Sequence, residues 1–178
     1  VIVASDHGYS TISEVASVEA LVKEAGFLSS GEPGGVMVAQ NGGTSLCYTP
    51  PGDLETAQRL AAWLMAQPWC GAVTASDAVA GIPGTLPASL VGNQGPRAPE
   101  LTASFRWDST PNDAGYAGMV YSNYGEPGTG QHGSMIRHEM NNILFANDPS
   151  FNSGLTLEIP SGNLDLAPTI LNILEISG

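Results

Sequence analysis

Basic side chains are scarce in this sequence: 5 Lys and Arg face 17 Asp and Glu, a formal net charge of −12 with a pI near 4.2. No basic stripe is present to neutralise a phosphate backbone, which excludes duplex DNA or RNA as a partner. An anionic substrate therefore needs a local cation, such as a bound metal. Charge of either sign is also sparse, at 12% of residues, about half of the roughly 25% of ordinary domains. The 42% hydrophobic content is nevertheless too high and too periodic for intrinsic disorder. No apolar run approaches the roughly 18–20 residues of a membrane-spanning helix, and no n-region followed by an h-region opens the chain. The two cysteines, Cys47 and Cys70, are too few for a disulfide framework and read as buried small apolar residues that pair only if close in space. Walker loops, G-x-G-x-x-G, paired C-x-x-C and H-E-x-x-H are all missing, which removes NTPase, dinucleotide-binding, zinc-finger and zinc-protease readings.

What is there suits one globular domain of 178 residues, long enough to bury a core. Val1 to Ser5 reads as an apolar strand that starts without a lead-in turn, as a cut inside a larger sheet would look; ordinary processing or tag removal is the alternative. Val18, Leu21, Val22 and Ala25 fall at helical spacing, with Gly26 as the C′ residue. Two short runs, 36–40 and 44–49, flank Asn41-Gly42-Gly43 and predict a hairpin. Asp53 N-caps a second helix to Ala66, with Leu54, Ala57, Leu60, Ala61 and Leu64 as its buried stripe, and Pro68 prevents its extension. Residues 69–75 read as a strand, 81–99 as an irregular surface loop, 101–107 as a half-buried strand and 118–122 as a short one. Residues 142–146 predict a buried strand, 155–159 another, and 166–176 a closing helix with Asp165 at its start and Pro168 in its first turn. Helices between short apolar strands imply an α/β layered fold carrying a small β-hairpin insertion.

The residues able to carry chemistry are few. Asp6-His7-Gly8 directly follows an apolar strand, where α/β folds place ligands. A carboxylate oxygen and an imidazole nitrogen there suit zinc or manganese, and Gly8 permits the backbone to turn; a solvated aspartate beside an incidental histidine is the plain alternative. His132 lies between Gly130 and Gly133, either as a surface histidine or as a ligand brought close by the glycines. His138 is six positions further on, so the two cannot share a helical face, and it reads as structural. Ser134 lacks the G-x-S-x-G elbow of a nucleophile and reads as a loop hydroxyl. Glu139, Asp148, Glu158 and Asp165 are each compatible with general acid work, but a lone carboxylate in an acidic chain is usually a solvated charge.

Together these residues form a pattern. The stretch Val1-Ile2-Val3-Ala4-Ser5-Asp6-His7-Gly8 resembles the strand and metal-binding Asp-His-Gly of the alkaline phosphatase superfamily, nearest its phosphodiesterase/nucleotide pyrophosphatase branch. Thr129-Gly130-Gln131-His132-Gly133-Ser134 is similar to the late histidine loop of that branch. Met140-Asn141-Asn142-Ile143-Leu144-Phe145-Ala146 looks like its following strand, and Asp165-Leu166-Ala167-Pro168-Thr169-Ile170-Leu171 like its closing helix. Three motifs agree in order and spacing. Gln67-Pro68-Trp69, Gly84-Thr85-Leu86-Pro87 and Arg97-Ala98-Pro99-Glu100-Leu101 also resemble secreted bacterial members, without chemistry attached.

The resemblance implies an alkaline phosphatase-like layered fold, with a mixed β-sheet flanked by helices, and a site of two divalent ions, usually zinc, that clamp the phosphate while a Thr or Ser nucleophile attacks. Asp6 and His7 match ligands of one ion, and His132 matches a ligand of the other. The family's early Asp, its nucleophile and its Asp-x-x-x-His motif have no counterpart here, and in the family they precede the Asp-His-Gly strand. On this reading residues 1–178 are the C-terminal portion of a single catalytic domain, truncated at the N-terminus, that binds metal weakly or not at all and is inactive alone. The parent is expected to hydrolyse small phosphate esters, phosphodiesters first. A phosphomonoesterase or sulfatase of the same superfamily, or a non-catalytic domain that keeps the fold, are the alternatives. The relatives imply a periplasmic or secreted location, and a truncated sheet edge implies self-association.

Overall fold

The structure is a computed structural model that describes residues 1–29 and 31–176. Among the described residues it is a mixed α/β protein with three sheets and few helices. In chain order the strands are β1 (Ile2–Ala4), β2 (Ser10–Val15), β3 (Met37–Asn41), β4 (Thr44–Tyr48), β5 (Cys70–Ala75), β6 (Leu86–Pro87), β7 (Leu101–Phe105), β8 (Trp107–Pro111), β9 (Ala117–Ser122), β10 (Gly130–Gln131) and β11 (Leu144–Ala146). The helices are α1 (Val18–Glu24), α2 (Leu54–Met65), α3 (Arg137–Met140) and α4 (Leu166–Ile173). The chain divides into two compact units, Tyr9–Glu139 and the pair of segments Val1–Gly8 and Met140–Gly178.

The larger unit carries two mixed sheets. Five strands run in the order β3-β4-β7-β5-β6, antiparallel except for the last pair, and four run β10-β2-β9-β8 with β2 and β9 parallel. The hairpin is therefore the edge of the five-stranded sheet, not an insertion, because β4 turns its second edge to β7 in the register Cys47↔Leu101. That position also makes β7 central, and all five of its residues are buried, where alternation had predicted a half-buried strand. Helix α2 follows its predicted pattern except at Leu54, which opens the helix and is exposed: Asp53 Oδ1 accepts from Thr56 N at 3.0 Å and Oδ2 from Thr56 Oγ1 at 2.8 Å, and Ala57, Leu60, Ala61 and Leu64 are buried. These two hydrogen-bond contacts with Thr56 hold the Asp53 carboxyl below the usual carboxylate range. A chain of edge-on aromatic contacts runs through the core, Phe27–Trp63 at 6.1 Å, Trp63–Trp69 at 6.0 Å and Trp69–Phe105 at 5.5 Å.

Cys47 and Cys70 are both buried free thiols. They pair in register with Leu101 and Phe105 on opposite sides of β7, so two inter-strand spacings of about 4.8 Å already exceed the roughly 7 Å Cα limit for a disulfide. Burial, reinforced by Cys70, pushes the Cys47 thiol up to about 12, and burial pushes Cys70 up to about 11.

The smaller unit is built differently. β1 and β11 form a two-stranded antiparallel sheet with Val3 opposite Phe145, and α4 follows a short 3₁₀ turn over Asn163–Asp165. None of its described residues is buried. The predicted buried strand at 142–146 is thus shorter and solvent-facing, and 155–159 forms no strand. Ser10–Val15 and Trp107–Pro111 are strands that periodicity did not reveal, the first because only its leading residues are buried and the second because it is exposed throughout. Among the described residues no helix is long and apolar enough to cross a membrane.

Candidate functional site

In the smaller unit, the turn after β1 is gripped by asparagines from distant parts of the chain. Asn142 Nδ2 donates to Ser5 O at 2.8 Å, and Asn163 Nδ2 donates to Asp6 O at 3.1 Å. The two amides are joined to each other by Asn142 Nδ2 to Asn163 Oδ1 at 2.9 Å. Ser5 Oγ accepts from Ile143 N at 3.0 Å. With Asn163 Nδ2 also donating to Ser5 O at 3.3 Å and Ser5 N donating to Ile143 O at 3.1 Å, the backbone at Ser5 and Asp6 is fixed by four hydrogen bonds although little of it is shielded from water.

That turn brings Asp6 and His7 together. Asp6 Oδ1 accepts from His7 N at 3.1 Å, which turns Oδ2 towards His7 Nε2 at 3.4 Å. His7 Nδ1 lies 2.8 Å from Gly8 O. A carbonyl can only accept, so Nδ1 carries the hydrogen, and Nε2 is the nitrogen that faces the carboxylate. Either a proton or a cation fits between those two atoms. Ligands at about 2.0–2.1 Å in a tetrahedral zinc site stand about 3.3–3.4 Å apart, so the observed separation suits two ligands of one ion. Backbone fixation of the far ring nitrogen is also what orients a metal-binding histidine.

His132 belongs to the larger unit and is exposed at the apex of a loop after β10. The loop lies on the hairpin turn: Gly43 N donates to His132 O at 3.2 Å, and Thr44 Oγ1 donates to Gly133 O at 2.9 Å. A Cβ on Gly42, whose φ is +55°, would stand 2.2 Å from His132 O, and one on Gly43 would stand 2.5 Å from Ser134 Cβ. Only glycine allows this approach. Asn123 holds the turn from beneath, with Nδ2 donating to Thr44 O at 2.6 Å and Oδ1 accepting from Ser45 Oγ at 2.8 Å. The His132 ring meets Tyr9 edge-on at 5.4 Å and borders a cavity of about 320 Å³ lined also by Ile12, Asn41, Tyr124 and Gln131.

The remaining candidates have structural work. Ser134 is buried, with its N donating to Glu139 Oε2 at 2.6 Å and its Oγ accepting from Ile136 N at 3.4 Å. His138 packs edge-on against Trp107 at 5.5 Å, over Gly118. Asp165 Oδ2 accepts from Gly162 N at 2.8 Å at the entry to α4, and Asp148 Oδ1 accepts from Ser150 N at 3.0 Å, which lowers its carboxyl pKa. Glu158 is exposed. Glu139 departs from the expectation of a solvated charge: it is 2% exposed. Its burial, and the roles of Asn142, Asn163, Gly42 and Gly43, had no signature in one sequence beyond the hairpin itself.

Among the described residues no group of three or more His, Cys, Asp and Glu side chains is arranged to hold a metal ion. Asp6 and His7 are thus a pair of donors within the smaller unit, and His132 is a donor carried by the larger one. A scan of protein-family models, a search of curated proteins and a search of solved structures each found no match.

Proposed function

We propose that this chain contributes metal ligands to a hydrolase of phosphate esters, phosphodiesters first, of the alkaline phosphatase superfamily. The observation that carries the reading is the Asp6–His7 pair, with Oδ2 and Nε2 at 3.4 Å and Nδ1 committed to Gly8 O. In the proposal Asp6 and His7 ligate one zinc ion and His132 a second. The ions supply positive charge to a phosphoryl oxygen, which this acidic chain, with 5 Lys and Arg, does not. The chain's own part is to orient: Asn142 and Asn163 fix the backbone at Ser5 and Asp6, Gly8 O fixes the His7 ring, and the hairpin turn carries the His132 loop. The cavity beside His132 has room for the organic group of an ester. The alkaline phosphatase-like layered fold, the single-domain organisation of residues 1–178 and the periplasmic or secreted location belong to the same proposal.

Zinc titration and hydrolysis of bis(4-nitrophenyl) phosphate test it. The 178-residue chain is expected to bind zinc weakly, at least about tenfold more weakly after Asp6→Ala or His7→Ala, and to turn over no ester. The product of the whole open reading frame containing these residues is expected to hydrolyse the ester with zinc and to lose that activity in His132→Ala. An inactive whole product that folds and binds no zinc overturns the proposal in favour of a non-catalytic domain. Zinc-dependent turnover by the 178-residue chain would place a nucleophile among these residues.

A further inference from the structure

We infer that Glu139 is a positioning residue for His132. Glu139 is a buried carboxyl side chain on which three uncharged donors converge. Ser10 Oγ, from β2, and Gln131 Nε2, at 2.8 Å, donate to Oε1, while Ser134 N donates to Oε2 at 2.6 Å. Gln131 Nε2 also reaches Ser10 Oγ at 3.1 Å, which closes a ring of contacts. Two of the three donors belong to Gln131 and Ser134, which bracket His132-Gly133 on either side. The carboxylate thereby ties both ends of a four-residue loop to β2 and leaves its apex outward.

The cost of this arrangement points to a purpose beyond packing. Burying a carboxyl group is expensive even when it is hydrogen-bonded, and an apolar side chain would fill the same space more cheaply. What a two-oxygen acceptor does, and an apolar group cannot, is pin two separated points of one loop. The held apex is His132, with its ring edge-on to Tyr9 at 5.4 Å. What His132 is held for rests on the hydrolase proposal; that it is held does not.

The test is a ¹H–¹³C NMR spectrum of the histidine rings of the metal-free 178-residue chain. The three histidines are assigned by single substitution. His132 is expected to show ring protons displaced from free imidazole by the Tyr9 ring. Glu139→Ala is expected to collapse that displacement, while the amide resonances of Leu101–Phe105 stay in place. Glu139→Gln is expected to keep most of it. An amide of the same length still accepts from Ser134 N, and Gln131 Oε1, buried without a hydrogen-bond partner, is available to it once the Gln131 amide turns over. Where Glu139→Ala unfolds the chain, Glu139→Asp serves, because it withdraws the acceptor by one methylene and is expected to collapse the displacement in the same way. An undisplaced ring in the wild type, an unchanged ring in Glu139→Ala or Glu139→Asp with the core intact, or equal collapse in Glu139→Gln and Glu139→Ala each overturns the inference. Zinc-dependent hydrolysis by the whole product tests the hydrolase proposal separately.

Discussion

Residues 9–139 and the unit formed by 1–8 and 140–176 are stabilised in different ways. The first buries Phe105, Leu60, Leu64, Leu101 and Val73 almost completely. The second buries none of its described residues, exposes Phe145, Leu157, Ile159 and Leu164, and is held by a two-stranded ladder and asparagine contacts. Apolar burial is the dominant favourable term in folding, whereas a net hydrogen bond contributes about 1 kcal/mol. Stability therefore resides in the first unit, and the second carries the Asp6–His7 donor pair on a frame without a core. A ligand pair can be locally well ordered by polar contacts where global stability is low.

The comparison breaks most readily at two phenylalanines. Phe105→Ala is expected to cost about 3–5 kcal/mol of unfolding free energy, against about 0.5 kcal/mol or less for Phe145→Ala, which is 66% exposed. Urea denaturation of both variants checks the contrast, and similar costs would show that 140–176 contains buried packing after all. The next effect lies where the hairpin meets the His132 loop. Gly42→Ala is expected to lose roughly 2 kcal/mol, from a left-handed backbone angle and the 2.2 Å approach to His132 O. Hydrogen exchange should rise over 130–134 but not over β1. The last effect, absent at neutral pH, is pH-dependent and confined to the larger unit. Because the folded-state pKa of Cys47 is raised from 9.0 to about 12, its contribution is complete below pH 9 and declines as the pH rises towards 12, when the unfolded thiol ionises first. Cys47→Ala should flatten the alkaline limb of the stability curve by up to about 1.4 kcal/mol per pH unit. A limb unchanged by the substitution would show that Cys47 is not the thiol responsible.

The same contrast explains what could be read from residues alone. Helix α2, the hairpin and β5 obey local rules: a capping Asp53, a stripe at 57, 60, 61 and 64, and an Asn-Gly turn all declare themselves within a dozen residues. β7 was found but its complete burial was not, since that depends on β4 and β5 pairing with it from far along the chain. The strand expected at 155–159 shows the limit, because apolar alternation there has no neighbouring strand to pair with among the described residues. Asp6, His7 and His132 were legible by residue type and glycine context. Their supports were not: Asn142, Asn163 and Glu139 act through contacts across many intervening residues.

The aromatic chain from Phe27 to Phe105 has an optical consequence. All three tryptophans (63, 69 and 107) and all five tyrosines lie between residues 9 and 139. Trp63 and Trp69, with ring centres 6.0 Å apart, are close enough to exchange excitation and to couple in circular dichroism. Intrinsic fluorescence and the near-ultraviolet tyrosine and tryptophan bands therefore report the larger unit alone. An unfolding curve recorded in that light is silent about the strand and turn that present Asp6 and His7, and a single smooth transition by emission is compatible with those residues having already let go.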